Sequence, residues 1–115
     1  MRQYLVVYDI ELFIDDAGVC PFKKWLDGLS DTRAKAKILE RLRRASDGNF
    51  GDWKRLVGTE GIFEMREHYG AGFRIYYSII GQKLVVILAG GTKKDQDKDN
   101  KQPRRKQRGI KCKYL

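Results

Sequence analysis

The chain has 115 residues, of which 42% are hydrophobic and 34% are charged, as in one small globular domain. Its longest apolar run, LVVILA at 84–89, is too short to cross a bilayer, and no signal-peptide core opens the chain. We therefore expect a cytoplasmic protein without a membrane partner. One histidine and two distant cysteines exclude a zinc site, and we expect neither a metal nor a cofactor.

The formal net charge is +9, and most of the excess lies in residues 93–115. A basic segment of this kind indicates nucleic acid or an acidic partner, or else a solvated, disordered end. Composition alone leaves both interpretations open.

The first part of the chain predicts a strand and a helix. Residues 3–10 are β-branched and aromatic, which favours a strand, and residues 11–18 then behave as a loop. Pro21 suits the first turn of a helix, where its missing N–H costs nothing. Apolar residues spaced three and four apart continue that helix to Leu29.

A second helix follows immediately. Ser30 or Asp31 can cap it, and its apolar stripe runs to about Ala45. Two helices joined this closely are expected to pack as an antiparallel hairpin. A separate basic stripe on the second helix consists of Lys37, Arg41 and Arg44.

The remainder of the chain predicts strands. Residues 54–57 form a strand or an extended loop, and residues 61–67 and 73–80 alternate between apolar and polar side chains. Residues 83–89 are nearly all apolar, which is typical of a central strand covered on both faces. The fold class is therefore α+β: a small, mainly antiparallel sheet with an N-terminal helical hairpin on one face, in the order β-α-α-β-β-β.

The segment EMREHYGAGFRIYY, at 64–77, carries the candidate chemistry. Because side chains alternate across a strand, burial of the apolar residues against the helices leaves Arg66, Arg74 and Tyr76 together on the opposite surface. Two neighbouring cations repel each other unless an anion lies between them. An RNA phosphate fits this requirement, since guanidinium groups bind phosphate oxygens in pairs and stay charged.

Cleavage of RNA by its own 2′-hydroxyl needs cations where charge develops and a group that moves a proton. Arg66 and Arg74 supply the first, while His68, Tyr76 or a lysine supplies the second. No metal is required.

Ordinary interpretations of the same residues stay open. Arg66 can pair with Glu64 or Glu67 on a solvated sheet face. A single histidine beside a glycine turn is more often solvated than catalytic.

Several segments in order make the chain similar to the RelE/ParE toxin superfamily, specifically to HigB-like addiction-module killer proteins. They are PFKKWLDGLSD at 21–31, RAKAKILERLRR at 33–44, GNFGDWK at 48–54, EMREHYGAGFRIYY at 64–77 and ILAGGTKKDQDKD at 87–99. The resemblance covers roughly residues 3–99. It implies a RelE-like fold and the toxin of a type II toxin–antitoxin pair, with a HigA-like antitoxin as partner.

Many RelE-like proteins cut mRNA in the ribosomal A site without a metal. Carried onto this chain, the resemblance places Arg66, Arg74, His68 and Tyr76 in the catalytic set of a ribosome-dependent mRNA endoribonuclease. It implies that the residues contacting RNA are Lys54, Lys93, Lys94, Arg41 and Arg44.

The resemblance also divides the chain. Relatives continue from the segment near Asp99 into an amphipathic helix, whereas here Asn100 and Pro103 lead into a basic run. We therefore predict a toxin domain at 1–99 and a basic, disordered tail at 100–115. Two other functions remain: a ParE-like protein that inhibits a topoisomerase without cutting anything, and a degenerate toxin that only binds its antitoxin.

Overall fold

A computed structural model describes residues 7–93, which form a five-stranded sheet with two helices on one face. The elements are β1 (Asp9–Leu12), α1 (Pro21–Asp27), α2 (Thr32–Ser46), β2 (Trp53–Arg55), β3 (Phe63–Glu67), β4 (Phe73–Ile80) and β5 (Leu84–Thr92). The strand order is β1-β5-β4-β3-β2, with β1 parallel to β5 and the other pairs antiparallel. The predicted α+β class with a mainly antiparallel sheet is confirmed.

A few boundaries differ from the predictions. β1 includes Glu11 and Leu12, which we predicted as loop, because both pair with β5. Residues 3–6 of the predicted first strand lie outside the described residues. The segment near 54–57, predicted as a strand or an extended loop, contributes to the short strand β2 (Trp53–Arg55), so four strands follow the helices.

The helices begin as the sequence predicts. Pro21 is the first residue of α1. The carboxylate of Asp31 accepts hydrogen bonds from the backbone N–H groups of Arg33 at 2.9 Å and Ala34 at 3.2 Å. This cap satisfies two donors that a helix start leaves without intrahelical partners. Within residues 7–93, neither helix is both long and apolar enough to span a membrane.

The main core lies between the helices and the sheet. Ile38 of α2, Ile75 of β4 and Ile87 of β5 are inaccessible to solvent. Their burial follows from the helical stripe and from strand alternation, which direct both apolar sets into the same layer. The fully or nearly buried members of this cluster are Phe22, Ala34, Ile38, Ala45, Met65, Phe73, Ile75, Tyr77, Val85 and Ile87.

A second, smaller core covers part of the opposite face of the sheet. Leu56 and Ile62, from the connection between β2 and β3, pack there with Phe13. They bury Tyr76 together with side chains of β5. The hydroxyl of Ser78 donates to the carbonyl of Gly61, which holds the connection against the sheet. The face opposite the helices is therefore only partly open.

Candidate nucleic-acid interface

Two rows of residues cross the sheet on the face opposite the helices. In the first row, Arg66 of β3 lies directly opposite Arg74 of β4, and Arg74 lies opposite Gly91 of β5. The backbone N–H of Arg66 donates to the carbonyl of Asp52 at 2.8 Å, so Asp52 extends this row to the sheet edge. The second row consists of Lys54, Glu64, Tyr76 and Ala89. The predicted proximity of Arg66, Arg74 and Tyr76 is confirmed.

The exposure that we predicted for these side chains is wrong for two of them. Tyr76 is only 1% exposed, because the connection between β2 and β3 covers it. Arg74 is 4% exposed, and its Nη1 donates to the carbonyl of Phe73 at 3.2 Å, so its guanidinium lies back along its own strand. The most accessible guanidinium of the row belongs to Arg66, whose side chain is 22% exposed.

Glu64 holds Arg66 in a nearly buried ion pair. Its Oε1 accepts from Nη2 of Arg66 at 2.9 Å and from Nε at 3.0 Å. The pairing of Arg66 with Glu64 that we considered for a solvated face is thus observed in a largely water-free position. Among the described residues, Glu64 Oε2 and Arg74 Nε have no hydrogen-bond partner. Glu64 therefore pairs with Arg66 only, and Arg74 has no carboxylate partner among the described residues.

His68 lies just beyond β3 and contacts the first row through Asp52. Its Nε2 lies 2.7 Å from Oδ2 of Asp52, and its side chain is largely exposed. The pKa of the Asp52 carboxyl lies below its ordinary value, first because His68 hydrogen-bonds to it and then because Arg66 and Arg41 are nearby cations. Asp52 is consequently ionised at neutral pH.

Arg41 fixes the segment that carries Asp52. Its Nη2 donates to the carbonyls of Phe50 at 3.1 Å and of Asp52 at 3.2 Å. Gly51, between them, has a φ of +60°, and a Cβ at this position would overlap the guanidinium of Arg41. The Arg41 side chain, which we predicted to bind RNA, is thus engaged in holding the protein's own backbone.

We expect Gly51→Ala to release this segment. Gly70 has the same φ of +60°, but no atom lies within 4 Å of its Cβ position. Both Gly51→Ala and Gly70→Ala incur the strain of a left-handed conformation, about 1 kcal/mol. Only Gly51→Ala also displaces Arg41, so we expect a further loss of about 1–2 kcal/mol in its free energy of unfolding, measured with urea. Equal losses in the two variants would show that the Arg41 contact contributes nothing.

The other predicted RNA contacts are dispersed. Lys54 is exposed in the second row, and Lys93 is exposed directly after the end of β5. Arg44 lies on α2, where its Nε is 3.5 Å from Oε1 of Glu40, on the other side of the sheet. Lys94 and the tail at 100–115 lie outside the described residues. The functional roles of all these residues stay predictions.

Sequence reasoning missed Asp52. The signal lay in GNFGDWK, where an acidic residue directly precedes the short strand β2, but only the strand register places it opposite Arg66. The described residues contain no group of three or more histidine, cysteine or acidic side chains arranged to hold a metal ion.

The fold and the two rows define a small α+β protein that carries excess positive charge on one sheet face. The profile of the family described as "Phage derived protein Gp49-like (DUF891)" matches residues 24–111. The chain therefore belongs to the Gp49-like family of phage-derived proteins, a toxin-like family of RelE/HigB type. This match continues beyond residue 99, where we predicted the end of the toxin domain, and that boundary stays a prediction.

One relative extends the comparison. An uncharacterized protein of Haemophilus influenzae is 48% identical over 81 residues, which cover 70% of this chain and 80% of that protein. No solved structure shows a significant match.

Proposed function

We propose that this protein is the toxin of a type II toxin–antitoxin pair and that it cleaves mRNA on the ribosome. Membership in the Gp49-like family supports a toxin in general. The more specific activity, an mRNA endoribonuclease of the RelE/HigB kind, is what the resemblance implies, and the chemistry of the sheet face supports it. A cognate, HigA-like antitoxin and the ribosome are the partners that this function requires.

The observation that carries the proposal is the register of Arg66 and Arg74. These arginines face each other across β3 and β4, and Glu64 neutralises only one of them. Arg74 also retains a buried Nε–H without an acceptor among the described residues. A phosphate group supplies both the missing negative charge and the missing acceptors, in the paired geometry that guanidinium groups favour.

Access to this site involves a competition between carboxylate and phosphate. In the free protein Glu64 occupies the guanidinium of Arg66, so an incoming phosphate takes over donors that the protein already uses. Arg66 is reached first because it is more exposed than Arg74. Lys54, exposed on the same face, and Lys93, exposed just after β5, guide the RNA by their charge.

Cleavage in this proposal uses the RNA's own nucleophile. The 2′-hydroxyl attacks the adjacent phosphorus, and the bond from phosphorus to the 5′-oxygen breaks. Arg66 and Arg74 stabilise the negative charge that develops on the phosphate oxygens. The products are a 2′,3′-cyclic phosphate and a 5′-hydroxyl, and the reaction draws on no metal or cofactor.

The test is mRNA cleavage in a purified translation system, with and without ribosomes, with cut sites mapped by primer extension. We expect cuts only when ribosomes are present. Absence of cleavage by protein that is shown to be folded would contradict the proposal.

The burial of Arg74 and Tyr76 favours one alternative enough to test it. Both side chains are almost fully buried, and ParE-like inhibition of a topoisomerase requires no side chain that RNA must reach. Loss of supercoiling by purified gyrase in the presence of the protein, without any cleavage of mRNA, would establish that alternative.

A further inference from the structure

Asp52 and His68 form a pair that the proposed reaction does not yet use. The imidazole Nε2 of His68 lies 2.7 Å from Oδ2 of Asp52, a distance typical of a charge-assisted hydrogen bond. The other ring nitrogen, Nδ1, makes no hydrogen bond within residues 7–93. One nitrogen is thus anchored to the protein, while the other is available to a ligand.

The carboxylate determines which nitrogen carries the proton. An ionised carboxylate only accepts hydrogen bonds, so Nε2 must be the donor. In a neutral imidazole the second nitrogen then has a free lone pair. The contact therefore selects the tautomer in which Nδ1 is a proton acceptor.

Asp52 is itself held from two directions. Its carbonyl accepts from the backbone N–H of Arg66 at 2.8 Å and from Nη2 of Arg41 at 3.2 Å. Arg41 of α2 and Arg66 of β3 therefore fix its backbone position, next to the turn at Gly51. Besides His68, the cations that act on the Asp52 carboxylate within residues 7–93 are Arg66 and Arg41.

We propose that Asp52 is a positioning residue that holds His68 with Nδ1 free to take the proton from the attacking 2′-hydroxyl of RNA. This inference rests on the proposed endoribonuclease function. As the 2′-oxygen bonds to phosphorus, its proton moves to Nδ1. The 5′-oxygen leaves with a proton from solvent, and the imidazolium returns its own proton to solvent, so the step balances.

The pair has an ordinary structural alternative. A hydrogen bond between the segment before β2 and the end of β3 can simply fasten the sheet edge. In that case its removal lowers stability but leaves the proton acceptor unaffected. The experiment must therefore separate the orientation of His68 from the stability of the fold.

The tautomer can be observed directly because His68 is the only histidine in the chain. Long-range proton–nitrogen NMR of the ¹⁵N-labelled full chain, at about pH 8.5 where an ordinary imidazole is neutral, reports both ring nitrogens. We expect no detectable Nδ1–H form in the parent and its appearance in Asp52→Asn. The same mixture of tautomers in both proteins would overturn the proposal whether or not RNA is cleaved.

Cleavage kinetics give the second measurement. Asp52→Asn is expected to lower the maximal cleavage rate at least about tenfold, which is part of the about 10²–10⁴-fold that a general base contributes. The substrate concentration that gives half the maximal rate is expected to stay unchanged. Asp47→Asn is the matched control, since Asp47 accepts from Nη1 of Arg43 at 3.2 Å on the exposed end of α2. We expect Asp47→Asn to cleave like the parent.

A double variant shows whether Asp52 acts through His68. In a His68→Gln background, Asp52→Asn is expected to cause no further loss, because the group that it positions is gone. Equal rates for Asp52→Asn and the parent, or independent losses in the double variant, would overturn the inference while leaving the proposed function intact. A parent protein that cleaves nothing would overturn the proposed function and the catalytic use of the pair together.

Discussion

Arg74→Met is expected to lose mRNA cleavage and yet to unfold less readily than the parent. Arg74 is 4% exposed, and no carboxylate among the described residues pairs with it. Replacement by a methionine of similar length removes a desolvated charge, which we expect to stabilise the fold by about 1–2 kcal/mol. The same replacement removes a cation from the developing phosphate charge, so cleavage is expected to fall about 10²–10³-fold.

Arg66→Met provides the matched control, because Arg66 lies directly opposite Arg74 but holds Glu64. We expect this variant to lose cleavage as well, but to be destabilised by about 3 kcal/mol, since a carboxylate that is 3% exposed loses its partner. Urea unfolding and cleavage in a purified translation system give the two readouts. If Arg74→Met were destabilised, the site would hold no excess of positive charge. If it cleaved normally, Arg74 would have no part in the reaction.

Gly90→Ala is expected to destabilise the protein by about 2–3 kcal/mol. The indole ring of Trp25 packs directly on Gly90, and a Cβ there would overlap its six-membered ring. Trp25 also contacts Phe73 edge-on, with ring centroids 6.1 Å apart, so it cannot move without disturbing the core. Overpacking of this kind forces side chains off their rotamers or shifts the backbone. The free energy of unfolding in urea is the measurement.

Gly28→Ala serves as the control for that substitution. Gly28 follows α1 with an ordinary helical φ of −79°, and the nearest atom to a Cβ there is the Lys24 carbonyl oxygen at 3.4 Å. An alanine in this conformation restricts the unfolded chain and costs the fold little, so we expect a change within about 1 kcal/mol, if anything stabilising. Similar losses in both variants would contradict the close packing of Trp25 on β5.

Local patterns in the sequence predicted the elements and the faces of the sheet. Alternation in β3 and β4 placed Arg66 beside Arg74 correctly, because the glycine turn between them leaves one register that buries both apolar sets. The helical stripe and the Asp31 cap likewise depend on neighbouring residues only. For these features, short-range chemistry is sufficient.

Long-range contacts account for the misjudged exposure. Nothing in the pattern of β4 shows that Leu56 and Ile62 return to cover Tyr76, because those residues belong to a connection without periodicity. The position of Asp52 was equally hidden, since it depends on how the three-residue strand β2 aligns with β3. The burial of the sheet face opposite the helices and the position of Asp52 beside Arg66 therefore depend on contacts between residues far apart in the chain.

The position of β5 has a consequence for synthesis of the chain. β5 lies between β1 and β4, and Trp25 of α1 packs on it, although it is the last of the described strands along the chain. Asp9 pairs with Leu84, so β1 can pair with β5 only after nearly the whole described chain has been synthesised. Such distant pairings slow folding, because loop closure precedes the stabilising contacts. The sheet and the packing of Trp25 on it are thus completed only after β5 has been made, and the emerging chain stays incompletely folded until then.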